Sequence, residues 1–167
     1  MRLLDGTATV DDLDSFLAVL DDAAETTGTT VQAFDADYVV SAAHLERALD
    51  RADRAIARGE NVARERAVEV LCYAAGRRQI NRALEMGVAE GENRVVVLVD
   101  SAAGDEEAEA AAVDRLRDHV EEAPVLGAYD EPTVREFFDI TDAELGAVDG
   151  DLADLVLERV ALLDVEK

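Results

Sequence analysis

The sequence has no tryptophan and only 4% aromatic residues, so its core must be assembled from alanine, valine and leucine. The supply is adequate: hydrophobic residues fill 49% of 167 positions. That is enough for one domain, 1–167, burying roughly two thirds of its unfolded surface. A single cysteine, Cys72, excludes an internal disulfide and any cysteine-based metal cage. It lies in the apolar run Val70-Leu71-Cys72-Tyr73, where a small buried hydrophobe is the ordinary role. His44 and His119 stand far apart, with no second histidine or cysteine at helical spacing, so neither a metal nor a cofactor is expected. No apolar run approaches the ~20 residues of a membrane span. The opening segment also has no signal-peptide core. The expected location is the cytoplasm, with no membrane partner.

Lysine is nearly missing too. Fifteen arginines and the terminal Lys167 face thirty-nine acids, for a net charge of -23. An acidic disordered chain would lack the apolar content present here. Dense carboxylates that hold water where salt screens their repulsion fit better, pointing to a source rich in salt. The same abundance makes carboxylate pairs at catalytic spacing cheap coincidences. No glycine-rich phosphate loop, nucleophile elbow or HExxH motif occurs. No catalytic residue is therefore assigned, and an enzyme is not expected.

Periodicity outlines many helices and few strands. Residues 2–10 read as a strand or hairpin that Gly6 allows to bend. Asp11 caps a helix with Leu13, Phe16, Leu17, Leu20 and Ala24 on one face, and Gly28 ends it. Thr29–Phe34 is a strand and Tyr38–Val40 a short extended piece. Ser41 caps a helix facing inward with Leu45, Ala48, Leu49, Ala52 and Ile56, closed by Gly59. Further helices span 64–75, up to Gly76, and 79–86. Arg94–Asp100, with five successive apolar residues, reads as a central strand buried on both faces. An acidic helix follows over 105–122, then a short one opened by Pro132 and a capping box at Thr141–Glu144. A last helix over 151–163 has a main face of Leu152, Leu155, Val156, Val160 and Leu163. Its second apolar face, Ala153, Leu157 and Ala161, calls for deep burial or a partner. Strands do not alternate with helices, which predicts an α+β domain: a small mixed or antiparallel sheet of three to four strands packed by several helices.

Charge is distributed unevenly. Between Ser41 and Arg94 ten arginines meet nine acids, whereas the rest carries six basic and thirty acidic residues. Val70 to Leu84 has no acid and contains Arg77, Arg78 and Arg82. Arg78 and Arg82, four apart, would share a helix face. Free N–H groups after Gly76 would suit an anion, and Tyr73 could stack on a base. Upstream, Arg47, Arg51, Arg54 and Arg58 form a stripe along one helix. Glu46, Asp50 and Asp53 run parallel to it, so a solvated, self-paired face is the competing reading.

Ser41-Ala-Ala-His44-Leu45, Arg54-Ala55, Gly59, Asn61, the segment Glu69 to Ile80 with its Gly-Arg-Arg-Gln-Ile, and Gly87-Val88 together resemble the small accessory subunit of the KEOPS complex, a TPRKB-like family in its archaeal form. The closing Leu157–Leu163 is compatible. The resemblance implies a subunit without an active site, which docks on the kinase-like ATPase of KEOPS and supports it. It meets other KEOPS subunits indirectly. The complex makes threonylcarbamoyladenosine (t6A) in tRNA, beside the anticodon, through a different subunit. In archaea the small subunit helps recruit tRNA by its 3' CCA end. Arg77, Arg78, Arg82, Tyr73 and Gln79 are the candidate RNA contacts, and Arg47, Arg51, Arg54 and Arg58 a possible RNA-binding stripe. Ala153, Leu157 and Ala161 are the candidate kinase interface. The alternative is a generic protein-interaction module with no RNA contact.

Overall fold

The run Val95–Val99 is fully buried, and its side chains alternate between two separate cores. In the computed structural model, which describes residues 1–147 and 150–166, this run lies in β3 (Gly91–Asp100). β3 pairs with β1 (Arg2–Val10) on one side and β2 (Thr30–Asp35) on the other. A two-residue β4 (Glu121–Glu122) pairs with the far edge of β1, so the strand order is β2-β3-β1-β4, antiparallel throughout. The expected α+β class and strand number hold.

Each face of the sheet has its own helical layer. Val95, Val97 and Val99 pack with Phe16, Leu20 and Ala23 of α1 (Leu13–Thr27) and with Ala112, Val113 and Leu116 of α5 (Glu106–Leu116). Val96 and Leu98 face the opposite layer: α2 (Ala42–Arg58), α3 (Arg66–Ala75), the short α4 (Ile80–Ala83), α6 (Glu131–Phe137) and α8 (Leu152–Glu166). α7 (Asp142–Ala147) contributes only partly buried Leu145. Small side chains let α2 and α3 pack closely on one another, with α3 against the sheet: Ala48, Ala52, Ala74 and Ala75 are all buried. Among the described residues no helix is long and apolar enough to cross a membrane.

Several expected boundaries move for physical reasons. β1 is one unbroken strand, and Gly6 serves close approach instead of bending. A Cβ there would fall 2.0 Å from the Glu121 carbonyl oxygen. Asp12, not Asp11, caps α1 by accepting from Ser15 N–H. Tyr38 belongs to a 3-10 turn, Ala36–Tyr38. On α2 Ala55 is inward and Ile56 is 39% exposed, the drift expected of a 3.6-residue period over four turns. α3 starts at Arg66 instead of Arg64 because the buried Glu69 carboxylate accepts from Val62 and Ala63 N–H at 3.0 Å and holds the preceding loop out of the helix. α5 stops at Leu116, six residues early, which frees Glu121–Glu122 to pair with β1. The capping box forms: Glu144 N–H donates to Thr141 Oγ1 at 3.1 Å, and Thr141 N–H to Glu144 Oε1 at 3.4 Å.

His44 joins α2 to α3. Its Nδ1 accepts from Val40 N–H at 3.3 Å, so the proton sits on Nε2, which donates to the Ala74 carbonyl at 2.8 Å. Burial is complete and pushes the imidazole down from 6.5 to about 4, against the smaller opposing effect of the Ala74 bond. The ring is a neutral structural tie.

Two outcomes follow from this packing. Gly6→Ala should cost about 1–3 kcal/mol, the range for overpacking a closed contact. Gly146→Ala, where nothing lies within 4 Å of an added Cβ, should leave the melting temperature level or higher. For His44, the folded state binds fewer protons than the unfolded chain. Its contribution is therefore present above pH 6.5 and lost as pH falls towards about 4. Denaturant titrations should show the stability gap between wild type and His44→Gln shrinking over that window by on the order of 3 kcal/mol; a gap independent of pH would refute the neutral tie.

Candidate functional site

The acid-free segment starts where α3 ends. Gly76 adopts φ 61° and Arg77 N–H closes the helix on the Cys72 carbonyl at 3.0 Å. A Cβ at Gly76 would lie 3.4 Å from the Arg159 carbonyl of α8, an ordinary contact, so the positive φ is what favours glycine here. Arg77 then turns inward. Its guanidinium donates to the Phe137 carbonyl, lies 5.0 Å from the centre of the Phe137 ring, and stands 3.7 Å from Asp139. From the other side Arg159 donates to the Phe138 and Asp139 carbonyls at 3.1 and 3.3 Å. The C-terminal carbonyls of α6, which a helix leaves without internal partners, are thus held by two arginines.

Arg78, Gln79 and Arg82 are exposed. Arg78 and Arg82 do not share a helix face as expected, because α4 begins only at Ile80 and leaves Arg78 in the turn before it. Four helical residues align too few peptide dipoles for the expected anion-binding N-terminus. Arg82 borders an open groove of about 530 Å³ with Tyr38, Phe137, Glu85, Glu136 and Asp139. Glu85 directly follows the acid-free run, and Glu136 and Asp139 are brought beside it from α6 and the turn after it. Tyr73 corrects a further expectation: it is fully buried, its hydroxyl donates to Asp164, and its ring has no face open to a base. Burial, then the Asp164 bond, pushes its phenol up.

The α2 stripe is split. Arg51 pairs with Asp164 of α8 at 3.0 Å, and Arg54 with Asp50 at 3.2 Å on its own helix. Asp53 is taken by Arg66 of α3 at 2.8 Å, so it does not neutralise the stripe. Arg47 and Arg58 are exposed and form no ion pair among the described residues.

On α8 the expected main face, Leu152, Leu155, Val156, Val160 and Leu163, is buried. Ala153, Leu157 and Ala161 are half-buried, with Ala153 packed against the core. Sequence reasoning missed Leu162, 37% exposed, and Val165, 80% exposed; both were legible as apolar residues outside the main face. Leu157 and Ala161 precede Asp164 by seven and three residues, so they share its side, the side that meets Arg51 of α2. The two helices run in the same direction: Arg159 lies beside Gly76, near the start of α2 where Ala74 holds His44, and Asp164 reaches Arg51 further on. The candidate RNA stripe and candidate kinase interface are therefore neighbours. Arg78 and Arg82 belong to a different part of the surface, at α4.

Among the described residues no group of three or more His, Cys, Asp or Glu has the arrangement of a metal site. Against known proteins, no curated sequence matches the chain. A family model described as "Kinase binding protein CGI-121" matches residues 15–164, from α1 to the end of α8 but for its last turn. With nearly the whole domain matched, this chain belongs to the kinase-binding CGI-121 family.

Proposed function

We propose that the chain is the non-catalytic accessory subunit of a KEOPS complex that makes t6A in tRNA, acting in the cytoplasm. It docks on the kinase-like ATPase subunit and supports its activity. It also helps recruit tRNA through the 3' CCA end. The observation that carries the docking reading is the outer face of α8. In a chain of net charge -23, Leu157, Ala161, Leu162 and Val165 leave apolar surface open on one helix. Exposed apolar surface of this kind marks an interface. Membership of a kinase-binding family supplies the class of partner.

For tRNA, the exposed Arg78, Gln79 and Arg82 at α4 are the candidate contacts. Guanidiniums can meet phosphates and stack on unpaired bases. Arg77 is engaged by α6, and Tyr73 lies inside the core. In concentrated salt the screening length falls to about 3 Å, so stacking and hydrogen bonds would carry more of the affinity than long-range attraction. The shortened contact set favours a second reading, a protein-interaction module without RNA contact. The two differ in what trimmed tRNA does.

Leu157→Glu should abolish binding to the kinase-like ATPase while the free protein melts as before; a complex surviving gel filtration would count against docking at α8. Arg78→Glu with Arg82→Glu should weaken tRNA binding, and removing CCA from the tRNA should do the same. Equal affinity for intact and trimmed tRNA would leave the protein-only module. Arg77→Ala should behave differently and lower stability by about 1–3 kcal/mol, the cost of unsatisfied buried hydrogen-bonding groups.

A further inference from the structure

The α2 arginines need an explanation of their own. Arg47 shares with Arg2, Arg58, Arg64 and Arg82 an exposed position with no ion pair among the described residues, although Glu46 and Asp50 lie within one turn of it. Its position along the helix is what distinguishes it. Arg51 marks the level of Asp164. With a rise of about 1.5 Å per residue and the helices running in the same direction, Arg47 lies about 6 Å back, level with Val160 and Ala161 and about one turn short of Leu157. Arg54 lies about 4–5 Å ahead, level with the end of α8 beyond Val165. Arg58 lies about 10 Å ahead, past that end. Arg47, Arg51, Arg54 and Arg58 share one side of α2 by their spacing of four, three and four, and Arg51 shows that this side meets α8.

We infer that Arg47 and Arg54 form the cationic border of the α8 docking face, and that the protein partner carries carboxylates along one edge of an apolar contact strip. This inference rests on the proposed docking of the kinase-like subunit at α8 and adds the charge pattern of the partner. It also assigns the stripe to protein instead of RNA. Two observations favour that choice. The stripe adjoins a partly exposed apolar ridge, half-buried Leu157 and Ala161 with exposed Val165, which a phosphate backbone would leave uncovered and a protein surface would cover. The Arg51–Asp164 pair sits in the seam between stripe and ridge, with both side chains roughly three-quarters buried, and fixes their spacing before a partner arrives. A partner with an acidic edge would gain orientation and association rate from the border and most of its affinity from the ridge.

The test uses the full chain and the purified kinase-like ATPase subunit at two salt concentrations, both chosen so that circular dichroism shows the folded state. Arg47→Glu and the double variant Arg47→Glu with Arg54→Glu should weaken kinase binding, the double by about tenfold at the lower salt and less at the higher. Arg58→Glu should change it little, and affinity for intact tRNA should be unaltered in all three. Arg47→Gln with Arg54→Gln, which adds no charge, should lie between wild type and the reversal. Unchanged kinase affinity in the double variant would overturn the inference and leave a solvated face. A fall in tRNA affinity, with or without a change in kinase binding, would overturn it in favour of a nucleic-acid surface. Leu157→Glu run alongside separates the two levels. A complex that survives it removes docking at α8 altogether; a complex lost there but indifferent to the arginine reversals removes only the border.

Discussion

A strand that is apolar on both faces can be buried only between two layers. Val95 to Val99 impose that condition, and the architecture follows from it. α1 and α5 shield one side of the sheet. α2, α3, α6 and α8 assemble on the other, and every candidate functional residue lies in that second layer or in the turn and α4 that follow α3. With no tryptophan and four phenylalanines, the layer is built from alanines that bring helix backbones close. Close backbones tolerate little change in volume, as at Gly6, where the Glu121 carbonyl leaves no room for a Cβ.

The same layer places polar groups where burial makes their pairing obligatory. His44, Glu69 and Tyr73 are each fully buried. His44 and Glu69 hold backbone groups of loops and helix ends, and Tyr73 reaches the carboxylate of Asp164. Asp164 also holds Arg51, so α2, α3 and α8 meet at one carboxylate. The consequence for function is a fixed spacing between the α2 stripe and the outer face of α8. In the proposed docking, a partner would meet an ordered surface and lose less conformational entropy on association.

Many features were legible from local chemistry. Glycines 28, 59 and 76 end helices in the left-handed conformation, Ser41 caps α2, and Thr141 and Glu144 form their reciprocal box. The main face of α8, the centrality of β3 and the family resemblance were readable for the same reason: each depends on residues within a few turns of one another. On α1 Phe16 and Leu20 are inward as expected, but Leu17 is 41% exposed and Ala23 takes the buried place. Failures cluster where a distant partner intervenes. α5 was read through to residue 122 because nothing in its own sequence reveals that β1 takes up Glu121–Glu122. Tyr73 looked available for stacking because Asp164, ninety-one positions later, is not visible from its helix.

The sequence by itself determined the helix ends, the apolar stripes, the excess of acid and the acid-poor stretch from Val70 to Leu84, since these are properties of neighbours along a chain. Only the tertiary structure decided which charges remain available. Ion pairs and carbonyl contacts join residues by distance in space, and Coulomb attraction takes no account of sequence separation. Arg77 was thereby drawn to the end of α6, Arg82 set on one groove with Glu136 and Asp139, and Arg47 left open next to the outer face of α8.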